Sequence, residues 1–296
     1  MRNVWPHELR ANRRAARRQL TAKSAMGTIR TMAFAMIACA APALAYASGP
    51  FDSPLKTRNV ELAADPQNPK ATRQVTCFYY RSIVIKQVDY GEVGADRLAL
   101  LPVLSRNATQ CHEDREALEY IIPPDTWSGY FRGVKADYAF FDAPDGINGG
   151  LGFMVLRIFD RKAVLEDVAQ RGIKSITYEE GVLRLRYQRV YAGTCSIMTA
   201  GEDCRNVLVR ETGISAGSLS ICAQGYRAAK EAMAKGRCAA QPIHQKDCFA
   251  RELERLDEQK WDEAPTVIVY EAEATLKDGT LVTTPRSDAL ACHPSD

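Results

Sequence analysis

Lys174-Ser-Ile-Thr-Tyr178-Glu-Glu-Gly181-Val182-Leu-Arg-Leu-Arg-Tyr187 reads as two strands joined by a tight turn. With Glu180-Gly181 as a two-residue turn, Tyr178 faces Leu183 and Ile176 faces Leu185, so every apolar side chain lands on one face. Arg184 and Arg186 then point to the opposite, wet face, and the second strand runs on to Tyr191. A second hairpin lies near the C-terminus: Thr266 to Leu276, the dipeptide Asp278-Gly279, then Thr280 to Thr284. Asp-Gly between β-branched runs favours the positive φ angles of a type I′ turn.

Tight hairpins imply antiparallel pairing. The expected fold is therefore α+β: antiparallel, hairpin-rich sheet with three to four helices packed on one face, stabilised by disulfides. Working back toward the N-terminus, Gln74 to Val88 and Leu98 to Leu104 read as strands. Val134, Ala136, Tyr138 and Phe140 share a face of one strand, Asp142 to Gly150 is a loop, and Gly152 to Phe159 is the returning strand. Helices are expected over Gln110 to Tyr120, Lys162 to Gln170 (ending near Gly172), Ser218 to Lys235 and His244 to Lys260.

The N-terminus has a different character. Residues 1–30 carry eight basic residues against Glu8, and an apolar run follows from Met32 to Ala45. A basic flank, a short apolar core and the small-residue pair Ala43 and Ala45 are the parts of a secretory signal. Cleavage is expected after Ala45, with Ala47 as the second possibility and Met26 as a candidate start. The apolar run is too short to span a bilayer, which takes about 20 residues. Met36-Ile37-Ala38-Cys39 offers a competing reading, lipid attachment at Cys39. The expected organisation is thus a signal peptide (1–45), an extended lead-in (46–73) and a single disulfide-bonded domain (74–296).

The net charge of the whole chain is +3, but residues 46–296 hold 31 basic and 35 acidic residues, a net of −4. The basicity belongs to targeting and is no footprint for nucleic acid. Eight cysteines remain after Ala45: Cys77, Cys111, Cys195, Cys204, Cys222, Cys238, Cys248 and Cys292. An even number in an exported chain predicts a disulfide framework, and a periplasmic or secreted location follows from the same features. Cys195 and Cys204 bracket a polar loop they can close. Cys222 and Cys238 lie near opposite ends of one expected helix, about 24 Å apart at 1.5 Å per residue, so they cannot pair with each other. Cys238 is expected to pair with Cys248. No C-x-x-C occurs, which disfavours a zinc ribbon or a thioredoxin-like site.

Three segments offer chemistry. Gly213-Ile-Ser215-Ala-Gly217 matches G-x-S-x-G, with apolar Val207-Leu-Val209 before it and a helix after it. Catalysis there would take His293 or His244 as base and Asp247, Asp257 or Asp278 to orient it. Asp142, Asp145 and Asn148 could offer oxygens to calcium, although their spacing fits no standard loop. His112 and Glu116, one helical turn apart within Cys111-His-Glu-Asp114, could both reach a metal ion. Arg184, Arg186 and Arg189 could meet an acidic partner or a glycan phosphate, and Phe78-Tyr-Tyr80 a sugar ring; the favoured readings are the exposed face of a half-buried strand for the arginines and the core for the aromatics. No cofactor motif is found. The expectation is a non-enzymatic binding protein of the cell envelope, its partner an envelope protein or a small ligand. A secreted serine hydrolase using Ser215 is the alternative.

Overall fold

The computed structural model of the chain describes residues 50–103, 110–239 and 245–295. The signal segment, Cys39 and His244 lie outside these residues.

The first sheet is a five-stranded antiparallel meander: β1 (Lys56–Glu61), β2 (Gln74–Tyr79), β3 (Ile83–Asp89), β4 (Arg97–Pro102) and the short β5 (Tyr120–Ile121). Part of the extended lead-in belongs to this sheet, because β1 pairs with β2 along its length. The apolar run from Gln74 to Val88 is a hairpin rather than one strand. Its turn, Tyr80 to Ser82, contains no Gly, Pro or Asn to mark it. The expected helix over Gln110 to Tyr120 is absent. Cys111, disulfide-bonded to Cys77 on β2, fixes that segment against the sheet as irregular chain.

The second sheet is a seven-stranded meander: β6 (Tyr130–Lys135), β7 (Tyr138–Ile147), β8 (Gly150–Arg157), β9 (Lys162–Glu179), β10 (Val182–Ala192), β11 (Thr266–Lys277) and β12 (Thr280–Pro294). Val134 to Phe140 is two strands, broken at Ala136, which adopts φ 51°. The expected helix from Lys162 to Gln170 is part of β9. A register shift opposite Val155 and Leu156 displaces the alternation there and gives Val164/Val168 and Leu165/Ala169 a spacing of four that imitates a helix. Gly172, at φ 75°, lies where the β9–β10 pairing jumps from Ile173 to Ala169, not at a helix end.

The expected register is observed around the first hairpin: Leu183 pairs with Tyr178 and Leu185 with Ile176. Both turns have the positive φ pair of type I′, at Glu180-Gly181 and Asp278-Gly279. β12 runs ten residues beyond Thr284, to Pro294.

Three α-helices are inserted between the neighbouring strands β10 and β11: α1 (Ile197–Thr212), α2 (Cys222–Cys238) and α3 (Gln245–Glu258). The expected polar loop between Cys195 and Cys204 is instead the start of α1. Ser196 starts it, its hydroxyl accepting from the N–H of Met198, and Gly213 ends it at φ 74°. A 3₁₀ turn, Ser218–Ile221, precedes α2, and Gly236 lies inside that helix rather than beyond its end.

Disulfides join Cys195 to Cys204 and Cys238 to Cys248, as expected, and Cys222 to Cys292, which fastens α2 to β12. All four pairs have Cα separations between 4.9 and 5.8 Å, inside the range for such bonds.

Each face of the large sheet has its own core. Tyr138, Phe140, Phe153, Val155, Leu185, Tyr187 and Tyr270 pack with Leu208, Cys222 and Tyr226 of the helices. On the other face, Ala139, Phe141, Met154 and Leu156 pack with Ile83, Ile85, Leu98 and Leu100 of the small sheet. Val84, Val88, Ala99 and Leu101 form a third cluster with Cys77 and Cys111 on the far side of the small sheet. No helix among the described residues is long and apolar enough to cross a membrane.

Candidate functional site

The G-x-S-x-G segment follows a helix, because Val207-Leu-Val209 lies within α1. A nucleophile elbow takes the chain from a strand into a helix; here the loop links α1 to a 3₁₀ turn. Thr212 donates to the carbonyl of Leu208 (2.7 Å) and accepts the N–H of Ile214 (3.2 Å), closing the end of α1. The Ser215 hydroxyl accepts the N–H of Ser218 (3.1 Å) and lies 2.7 Å from the Ser218 hydroxyl, which donates to Asp288 (3.1 Å). This is a serine–serine–aspartate chain on the surface. This relay ends at a carboxylate and contains no imidazole to take the Ser215 proton.

The other proposed partners are spread over different elements. His293, on β12, has Nδ1 2.8 Å from the carbonyl of Pro294. Asp247 is in the first turn of α3, Asp257 pairs with Lys230 near its end, and Asp278 is at the tip of the β11–β12 hairpin.

The segment from Asp142 to Gly150 is a hairpin turning at Asn148-Gly149, both at positive φ. Asp142 sits back along β7, where its carboxylate lies 3.4 Å from Arg132 and its carbonyl accepts from the Trp127 indole (3.3 Å). Burial pushes the Asp142 carboxyl above its ordinary range, and Arg132 pulls the other way. Asp142 and Asn148 are six positions apart along β7 and its turn. Even with the bulge between them, that is on the order of 15–20 Å, whereas calcium ligands all lie about 2.5 Å from the ion.

His112 and Glu116 do meet, 3.6 Å apart, through the irregular chain rather than a helix. Among the described residues, no group of three or more His, Cys, Asp or Glu side chains could hold a metal ion. Beside them lies an ion pair that sequence reading missed. Lys86 and Glu119, both with wholly buried side chains, are 2.6 Å apart, and Lys86 also donates to the carbonyl of Asp114 (2.8 Å). Arg97 approaches the other Glu119 oxygen at 3.5 Å. Lys86 thus anchors the 110–122 segment to β3; removing Glu119 would strand the buried Lys86 charge, while removing Lys86 would leave Glu119 with the more distant Arg97. Its signal was a lone charged residue in the β-branched run Ile83-Val-Ile-Lys-Gln-Val88.

The three arginines separate. Arg184 and Arg186 are on the outer face, where Arg186 and Arg286 both reach Glu273 (2.8 and 3.5 Å). Arg189, an odd-numbered position, is on the inner face with Leu183, Leu185 and Tyr187. Its guanidinium meets the Asp167 carboxylate at 2.8 Å and donates to the Tyr270 hydroxyl (2.9 Å), while Tyr187 donates to Asp167 (2.6 Å). The Arg189 and Asp167 side chains are only 14% and 7% exposed. Burial first, then the Asp167 charge, pushes the Tyr187 hydroxyl far above its ordinary value. Burial opposes the charge on Arg189, but Asp167, Tyr270 and Tyr187 together more than offset it and hold the guanidinium above its ordinary value.

Phe78 and Tyr80 pack on Phe131 between the two sheets, with centroids 4.7 and 6.4 Å apart, so they belong to the core. Burial and then Asp52 push the Tyr80 hydroxyl up to about 12. On the inner face, Val155, Leu165, Leu185 and Leu276 line an apolar depression that encloses no space for even a water molecule, whereas typical small-molecule sites hold roughly 300–1,000 Å³.

The polar groups best placed for chemistry are therefore engaged in holding the fold: Ser215 in a turn, Lys86 and Glu119 under a loop, Asp167 and Arg189 within a sheet. Comparison with known proteins adds no assignment, since no protein family, curated protein or solved structure matches the chain.

Proposed function

We propose that this is an exported, disulfide-bonded protein of the cell envelope, periplasmic or secreted, which acts by binding an envelope protein or a small ligand rather than by turnover. The observation that carries the reading is the cysteine pairing: all eight cysteines beyond Ala45 lie in four disulfides. Such a set forms and persists in oxidising compartments, and a reducing cytosol works against it. The basic, then apolar, then small-residue N-terminus agrees with it.

The binding half of the reading is supported by the engagement of Ser215. A fluorophosphonate probe applied to the folded protein tests it against the hydrolase alternative. The expected outcome is no covalent labelling. Stoichiometric labelling that disappears in Ser215→Ala would establish an activated serine and replace binding with hydrolysis.

A further inference from the structure

We propose that the free edge of β12 pairs with the same edge of a second copy, making an antiparallel dimer centred on Val282. This stands apart from the export reading and does not depend on it.

Among the described residues, β12 is the last strand of its sheet and has β11 as its one strand neighbour. Behind the two-residue turn Asp278-Gly279, Lys277 and Thr280 form the closing pair, followed by Thr275 with Val282 and Glu273 with Thr284. In such a hairpin the closing pair exchanges backbone hydrogen bonds, and every second pair does so again. The backbone groups of Thr280, Val282 and Thr284 therefore point into β11, while those of Leu281 and Thr283 point away from the sheet. Leu281 and Val282 are 37% and 51% exposed, so two large apolar side chains sit on an open edge of high β-propensity.

The sequence around this edge is complementary to itself. With Val282 opposite Val282 of a second copy, Leu281 falls opposite Thr283, Thr280 opposite Thr284 and Asp278 opposite Arg286. The two outward-pointing residues of each strand then meet each other and exchange four backbone hydrogen bonds across the two-fold axis. The charge pair occurs twice, once at each end, on the same face as Val282. Asp278 has no ion pair among the described residues. Arg286 touches Glu273 at 3.5 Å but its side chain is 48% exposed, and a guanidinium has donors to spare. Pro285, which has no N–H, falls opposite Gly279 of the second copy's turn, where the ladder ends. The edge is short, so association should be weak and reversible.

Sedimentation velocity on the full disulfide-bonded chain, followed up to millimolar concentration, tests the proposal. The wild type should show a monomer–dimer equilibrium. Asp278→Arg alone sets like charges against each other at both ends, as does Arg286→Asp alone, and each should weaken the dimer about tenfold. Mixed in equal amounts, the two variants face each other with opposite charges at both ends, and dimerisation should return. Circular dichroism on each variant confirms that the monomer is folded. A wild type that stays monomeric, with Pro285 and Arg286 acting to guard the edge, would overturn the proposal. So would a dimer that neither substitution weakens, or a mixture no better associated than its components.

Discussion

Strands β7 and β8 differ from β10 and β11 in how many layers cover them, although all four belong to one sheet. Tyr138-Ala-Phe-Phe141 and Phe153-Met-Val-Leu156 are buried residue by residue, because the small sheet covers one face and the opposite face has its own apolar core. Toward their turns at Glu180-Gly181 and Asp278-Gly279, β10 and β11 alternate instead: Leu183, Leu185, Ala272 and Ala274 are buried while Arg184, Arg186, Glu271 and Glu273 meet solvent or each other, whereas Thr266–Tyr270 is buried throughout and Val190, Val267 and Val269 form a small cluster of their own. The pattern of a strand thus reports its coverage: continuous apolar residues where two layers press on it, alternation where one does.

Substitutions sharpen that contrast. Phe141→Ala removes a fully buried ring from between the two sheets, and should cost about 4 kcal/mol in denaturant unfolding. A loss under about 1 kcal/mol would mean that the small sheet is not seated on β7. Asp167→Ala, in the polar network between β9, β10 and β11, should cost about 3 kcal/mol, because it strands the Arg189 charge and the Tyr187 hydroxyl inside the sheet. Replacing both Asp167 and Arg189 with apolar residues should recover much of that loss; failure to recover any would show that the network is held by something other than the charge pair. Smallest is Arg186→Ala on the outer face, expected below about 1 kcal/mol because the arginine side chain is more than half exposed.

The same difference explains what could be read in the sequence. The Tyr178–Leu183 register was legible because one wet face forces strict alternation and Glu180-Gly181 marks the turn. The break at Ala136-Asp137 was not, since apolar residues continue on both sides of it and no glycine occupies the positive-φ position. The register shift in β9 erased alternation and left a helical spacing in its place. Helix α1 was hidden because Cys195 and Cys204 were read as the two ends of a loop, although Ser196 and Gly213 occupy its N-cap and C-cap positions.

The site residues follow the same logic. Ser215 and the 142–148 carboxylates were found by local motif, yet local motif does not report which strand or helix follows which. Lys86 with Glu119, and Asp167 with Arg189, join residues 33 and 22 positions apart and become partners only once the sheets form. Two of the disulfides were legible because their cysteines are close in sequence. Cys222 with Cys292, separated by 70 residues, required the path of β12 across α2.

The most direct test of the central claim is the intact mass of the protein recovered from the periplasm of a Gram-negative host, before and after reduction. Export with four disulfides predicts a chain beginning at Tyr46 that gains about 8 Da on reduction, two hydrogens for each bond. A chain that stays in the cytoplasm with residues 1–45 attached, or one whose eight cysteines remain free thiols after export, would contradict it.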